Sequence, residues 1–136
     1  MRKRFEIHAE EDIVHIRSEV REMAKEIGFD ELEQSRIVQS MSELTQNVVQ
    51  YADKGILTIS PVKDEGGRKG LKIQVRDKGP GLNNLEELAK GKARQAGETS
   101  GLQHVYMLMD ELRQIPVESG TCLEAVKWLK NKPIIS

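Results

Sequence analysis

From Ile13 to Val48 the apolar residues recur at helical spacing, and from Ile56 to Val75 they alternate. A chain that changes its apolar period from about 3.6 residues to 2 must lay helix stripes against one face of a sheet. That confines it to an α+β architecture. The first helix is carried by "EEDIVHIRSEVREMAKEIGF", with Ile13, Ile16, Val20, Met23, Ala24 and Ile27 on one side and Gly28 as its stop. The second runs from about Glu31 to Ala52, its stripe formed by Ile37, Met41, Leu44 and Val48, and "DKG" at Asp53 to Gly55 ends it. Ahead of both, "KRFEIH" alternates Lys3, Phe5 and Ile7 with polar residues, the pattern of a short edge strand.

"ILTIS" and "LKIQVRD" predict adjacent strands, with "PVKDEGGRKG" from Pro61 to Gly70 as a long hairpin loop. "NNLEELAKGK" predicts a short helix capped by Asn83 or Asn84. "GKARQAGETSG" lacks an apolar period and reads as a mobile loop. "LQHVYMLMDEL" restores helical spacing through Leu102, Val105, Leu108 and Met109. "RQIPVES" and "TCLEAVKWL" then predict two strands around a turn at Gly120, with Val126 and Trp128 on one face of the last. The order is β-α-α-β-β-loop-α-β-β. It predicts a two-layer sandwich, a mixed, mostly antiparallel sheet with helices on one face. With no repeat and no linker, the 136 residues suit one domain.

Composition excludes several functions. The net charge of -1 gives no general attraction to nucleic acid or acidic lipid. Aromatic residues are 4% of the chain, too few for base-stacking platforms. No apolar run reaches the ~20 residues of a membrane helix, and the basic start "MRKRFEIHAEED" has no apolar signal region, so a cytoplasmic location is expected. Cys122, the single cysteine, sits among apolar neighbours and reads as a small core residue. His8 and His15 lack companion ligands and read as surface or edge residues.

Two polar features remain. Glu43 and Asn47 are an i, i+4 pair, about 40° apart on a helix and at the margin of its apolar stripe. They suit a base and a metal-binding amide oxygen at a pocket mouth, but from this feature alone a pair of solvated side chains is the better reading. In "QVRDKGPGLNN", Asp77 shares the face of Val75 and would point inward from the end of its strand, where it needs a hydrogen-bond donor. Gly79 and Gly81 would let the backbone pass close to a ligand, although a turn alone would also use them.

The order of these features resembles the ATP-binding superfamily shared by gyrase, the ninety-kilodalton chaperone, MutL and histidine kinases. It runs Glu-x-x-x-Asn on a helix, two strands, Asp-x-Gly-x-Gly, a glycine-bearing loop and a further helix. Within it, "KEIGF", "SELTQNVVQYA", "KGLKIQVRDKGPGL", "GLQHVYMLMDEL" and "GTCLEAVKWLK" are similar to the small serine kinases of bacterial partner-switching pathways. The resemblance implies the Bergerat ATP-binding fold, a single histidine kinase-like ATPase domain over residues 1–136, and ATP and Mg²⁺ as cofactors. It implies that Glu43 orients or deprotonates the attacking hydroxyl, that Asn47 coordinates Mg²⁺, and that Asp77 accepts from the adenine amine with support from Thr121. Gly79 and Gly81 would shape the base pocket, and Gly97, Thr99 and Gly101 would belong to the phosphate lid. The implied protein partner is a STAS-domain antagonist, with a phosphatase or a sigma factor as the regulated protein and a homodimer as the possible assembly.

The lid departs from the group's glycine-rich run. Here it reads "GKARQAGETSGLQHV", with Glu98, Thr99 and Ser100 in the middle, and His104 in place of a further glycine. Thr99 lacks the conformational freedom of glycine, and Glu98 brings negative charge towards the phosphates, which Lys90, Lys92 and Arg94 would partly offset. Two functions therefore stand against each other: a protein serine/threonine kinase, and a non-catalytic module that sequesters a regulatory partner.

Overall fold

The computed structural model describes residues 1–51, 54–77 and 101–130. The expected end of the second helix at Ala52 and Asp53, the short helix after Gly81 and the loop up to Ser100 lie outside the described residues. The elements are β1 (Lys3–Ile7), α1 (Glu10–Ile27), α2 (Glu31–Tyr51), β2 (Gly55–Lys63), β3 (Lys69–Asp77), α3 (Gly101–Leu108), β4 (Glu111–Gln114) and β5 (Thr121–Trp128). Among the described residues no helix is long and apolar enough to cross a membrane.

Local chemistry sets the helix ends. The Asp12 carboxylate accepts from the backbone N–H groups of His8 at 2.7 Å and Ala9 at 3.1 Å, which holds its carboxyl below the ordinary value and ties the first turn of α1. Gly28, at φ 120°, turns the chain out of α1. The Phe29 N–H then closes on the Ala24 carbonyl at 3.0 Å. Asp30 opens α2 by accepting from the Glu33 N–H at 2.8 Å.

The strands form one sheet in the order β1-β2-β3-β5-β4. Each neighbouring pair is antiparallel, so the sheet is wholly antiparallel among the described strands rather than mixed. Ile7, Leu57, Ile59, Leu71, Ile73, Val75, Leu123 and Ala125 line the inner face of the sheet and are buried. They share one core with Ile16 and Val20 of α1 and with Ile37, Met41, Leu44 and Val48 of α2, as the stripes predict. The helix α2 packs against both α1 and α3.

Two further expectations are corrected, and the burial expected of Cys122 is observed. The β2–β3 hairpin is longer than expected: pairing continues to Lys63 and Lys69, leaving only residues 64–68 as the turn. Asp64 makes that short turn possible, because its carboxylate accepts from the Arg68 backbone N–H at 2.8 Å while Gly67 takes φ 84°. The penultimate strand covers Glu111–Gln114 rather than the residues around Pro116, with the Ile115 N–H still reaching the Cys122 carbonyl at 2.8 Å before Pro116, which has no N–H to offer. Cys122 is buried, and burial pushes its thiol up. It pairs with Arg76, however, on the outer face of the sheet, and stays outside the helix-packed core.

At Gly55, the first residue of β2, α2 packs directly on the sheet. A Cβ built on Gly55 would stand 2.8 Å from Val48 Cγ1 and 2.9 Å from the Arg76 carbonyl oxygen. Gly55→Ala should therefore destabilise the protein by about 1–3 kcal/mol, lowering Tm by roughly 3–10 °C. Thermal unfolding reads the sign directly, because an alanine that met no clash would raise Tm by reducing unfolded-state entropy.

Candidate active site

One end of the sheet gathers three strand termini. The strand β3 finishes at Asp77, β2 starts at Gly55 and β5 starts at Thr121, and the register sets Asp77 directly opposite both Gly55 and Thr121. Residues so paired hold their Cβ atoms about 4.5–5.5 Å apart. Asp77 continues the inward row of Leu71, Ile73 and Val75, so it faces the helical layer, and it is half-buried. Thr121 is buried beside it. The structure thus brings together the acid and the threonine that are far apart in sequence.

The helix α2 reaches the same end. Val48 lies against Gly55, the partner of Asp77, so Asn47 occupies the turn of α2 nearest that corner. Glu43 lies one turn earlier, and both Glu43 and Asn47 are half-buried between the buried Ser42, Leu44, Thr45 and Val48. Their place at the margin of the stripe follows from the helical period. The hydroxyls of Ser42 and Thr45 turn back to the carbonyls of Val38 and Met41, each at 2.9 Å, and leave the rim to the two longer side chains.

The helix α3 closes the side of the site. Gly101 touches Glu43 directly: a Cβ built at residue 101 would overlap Glu43 Oε2 and come within 3.5 Å of Glu43 Cβ and Cδ. One turn along, His104 Nδ1 stands 3.6 Å from the same Oε2. A cleft of about 420 Å³ between α1 and α2 also opens beside Glu43, and Arg17, Ser18, Arg21, Gln39 and Ser42 line it. Arg17 turns there to Ser42, its Nε donating to Oγ at 3.0 Å.

Gly79, Gly81, Gly97 and Thr99, with Lys90, Lys92 and Arg94, lie outside the described residues. Gly101, expected in the lid, is described as the first residue of α3, where its missing side chain leaves room for the Glu43 carboxylate. Sequence reasoning missed the approach of His104 to Glu43. The i, i+3 spacing of Gly101 and His104 was its only signal. Chemically, the corner offers a half-buried carboxylate able to take a proton, an amide oxygen able to bind a cation, and an inward acid able to accept from an amine.

Residues 8–127 match the family described as histidine kinase-like ATPase domain. The chain is 41% identical, over 126 residues, to the serine/threonine-protein kinase RsbT of Bacillus subtilis (strain 168), a match covering 91% of this chain and 94% of that protein. The fold is also similar to a chain in the crystal structure of the SiaB-SiaC complex from Pseudomonas aeruginosa, with a TM-score of 0.57 and 14% identity. That likeness covers 93% of this chain and 89% of the other.

The Glu43 side chain has a flexible far end, so Gly101→Ala should cost little stability, within about 0.5 kcal/mol. Its effect should instead be to displace the carboxylate. Thermal unfolding close to wild type, with a shifted Glu43 side chain in a crystal structure of the variant, is the expected pair of results. An unmoved carboxylate would show that the two residues are not in contact.

Proposed function

The chain belongs to the histidine kinase-like ATPase domain family, and on that premise we propose that it is an ATP-dependent serine/threonine protein kinase of a partner-switching pathway. Its substrate is a STAS-domain antagonist, whose phosphorylation regulates a phosphatase or sigma-factor partner. One observation supports the reading: Asp77 lies opposite both Thr121 and Gly55, and Val48, next to Asn47 on α2, packs where a side chain of Gly55 would stand.

The donor set at this corner fits Mg-ATP. Asp77 accepts from the exocyclic amine of adenine on the inner face, and Thr121 supports that carboxylate from the adjacent strand. Asn47 offers an amide oxygen to Mg²⁺, a cation that is usually held by one or two protein oxygens together with substrate phosphates. When bound, Mg²⁺ supplies positive charge against the triphosphate. Glu43 takes the proton of the substrate serine or threonine hydroxyl as its oxygen bonds to the γ-phosphorus and the bond to the β-phosphate breaks. The half-buried setting of Glu43 suits this role, since the carboxylate is reachable from outside yet held against α3.

A second reading is a module that binds its regulatory partner without catalysis, favoured by Glu98, Thr99 and Ser100 in the lid text. Radiolabelled ATP and purified STAS-domain proteins separate the two. Wild type should transfer label, Glu43→Ala should lose at least about 100-fold in rate, and chelation of Mg²⁺ by EDTA should abolish transfer. In thermal unfolding, Mg-ATP at 100 times its Kd should add about 2.7 kcal/mol, with Asp77→Asn removing most of that gain. Equal, negligible transfer by wild type and Glu43→Ala would leave the binding module as the function.

A further inference from the structure

We infer that His104 is a positioning residue for the Glu43 carboxylate: it holds Oε2 from the α3 side and leaves Oε1 to take the proton of the incoming hydroxyl. This rests on the kinase reading for its consequence, but on geometry for the contact.

Gly101 and His104 lie on one face of α3, and both meet the same atom. At residue 101 the absence of a side chain makes room for Glu43 Oε2, and at residue 104 the imidazole Nδ1 stands 3.6 Å from it. Nδ1 is buried and makes no hydrogen bond among the described residues. The His104 side chain as a whole is 41% exposed, so its hydrated edge lies elsewhere on the ring. A buried polar nitrogen without a partner costs about 1–3 kcal/mol. The remedy is at hand, because a shift of well under 1 Å brings Nδ1–H into hydrogen-bonding range of Oε2. Of the two arginines that line the cleft beside Glu43, Arg17 donates its Nε–H to Ser42 Oγ, and Arg21 is the other.

A carboxylate with one oxygen engaged has lost the freedom to rotate. Its second oxygen then points along a fixed direction, which is the requirement for a base that must meet a hydroxyl at about 2.6–3.2 Å. The imidazole performs this by donating Nδ1–H to Oε2, with Nε2 left to solvent. The arrangement is specific to residue 104, since a glycine there would offer no donor.

Two substitutions and one spectrum test the inference. His104→Phe keeps a ring without a donor, and His104→Asn places an amide N–H near the position of Nδ1. His104→Phe should lower kcat for transfer to a STAS domain about tenfold, with KM for ATP changed less than about twofold. His104→Asn should recover to within about threefold of wild type, and His104→Phe should have no added effect in a Glu43→Ala background. A loss expressed in KM for ATP alone, or full activity in His104→Phe, would overturn the proposal.

The contact has a readout that needs neither nucleotide nor substrate. In ¹⁵N-histidine NMR spectra of the full chain, His104 should be the Nδ1–H tautomer in wild type and should revert towards Nε2–H in Glu43→Ala. An unchanged tautomer overturns the proposal even where phosphate transfer is robust. Wild-type inactivity with each STAS domain tried overturns the kinase reading alone, and the tautomer then decides the His104–Glu43 contact by itself.

Discussion

The close approach of α2 to the start of β2 is the constraint from which the site follows. Residue 55 carries no side chain, so Val48 and the Arg76 carbonyl both close on the space that a Cβ would occupy. Any side chain there would lift the C-terminal half of α2 off the sheet. Because Gly55 is the ladder partner of Asp77, the same contact that seats the helix brings its polar rim to the strand end where Asp77 faces inward. Packing and site geometry are therefore one fact. A core contact of about 1–3 kcal/mol, small beside the total burial, decides where a carboxylate and an amide stand relative to an acid on another element.

The opposite end of the helical layer is fixed by charge. Lys127 lies on the inner face of β5 and is buried, with Nζ 3.0 Å from the Leu108 carbonyl and 3.2 Å from Glu33 Oε2. Asp110 Oδ1 stands 3.7 Å away, and Glu33 is also paired with Arg36. The Lys127–Glu33 contact is an ion pair whose angles fall short of a hydrogen bond. Replacing such a group with an apolar residue of equal volume often costs little, whereas removing one partner leaves a buried charge and costs about 3–5 kcal/mol. The ion pairs tie the start of α2 and the end of α3 to the same strand, and so complement the apolar seat at the other end of α2.

Much of this was legible because period is a strong signal. The stripes Ile13–Val20 and Ile37–Val48 and the alternation around Ile73 predicted elements and faces that the sheet register bears out. Element ends were less legible for identifiable reasons. Helical spacing in "LQHVYMLMDEL" continues through Leu112, yet the chain leaves the helix after Leu108 because the Asp110 N–H pairs with the Val126 carbonyl, a partner that local sequence does not reveal. The sequence from Pro61 to Gly70 reads as a loop because its outer positions are polar and exposed, while the pairing itself uses backbone groups indifferent to side-chain polarity. The place of Glu43 and Asn47 at the helix margin and the inward face of Asp77 follow from period, whereas their proposed roles, and Thr121 altogether, come from the resemblance. His104 against Glu43 follows from neither, because that contact depends on how α3 docks on α2.

The docking of α3 gives the site its remaining character. Its first residue admits the Glu43 carboxylate, its fourth presents an imidazole to it, and its last offers a carbonyl to Lys127. A helix of eight residues is too short to be stable on its own. Its position is therefore set by those end contacts together with the buried Leu102 and Val105. Any rotation of α3 about its axis would move Gly101 and His104 together, because they share a face. The carboxylate would then lose its space and its donor in the same motion. The orientation of Glu43 is thus a property of the α2–α3 pair rather than of its own helix, and a residue that looks local in the sequence acquires its chemistry from an element that follows it by two strands.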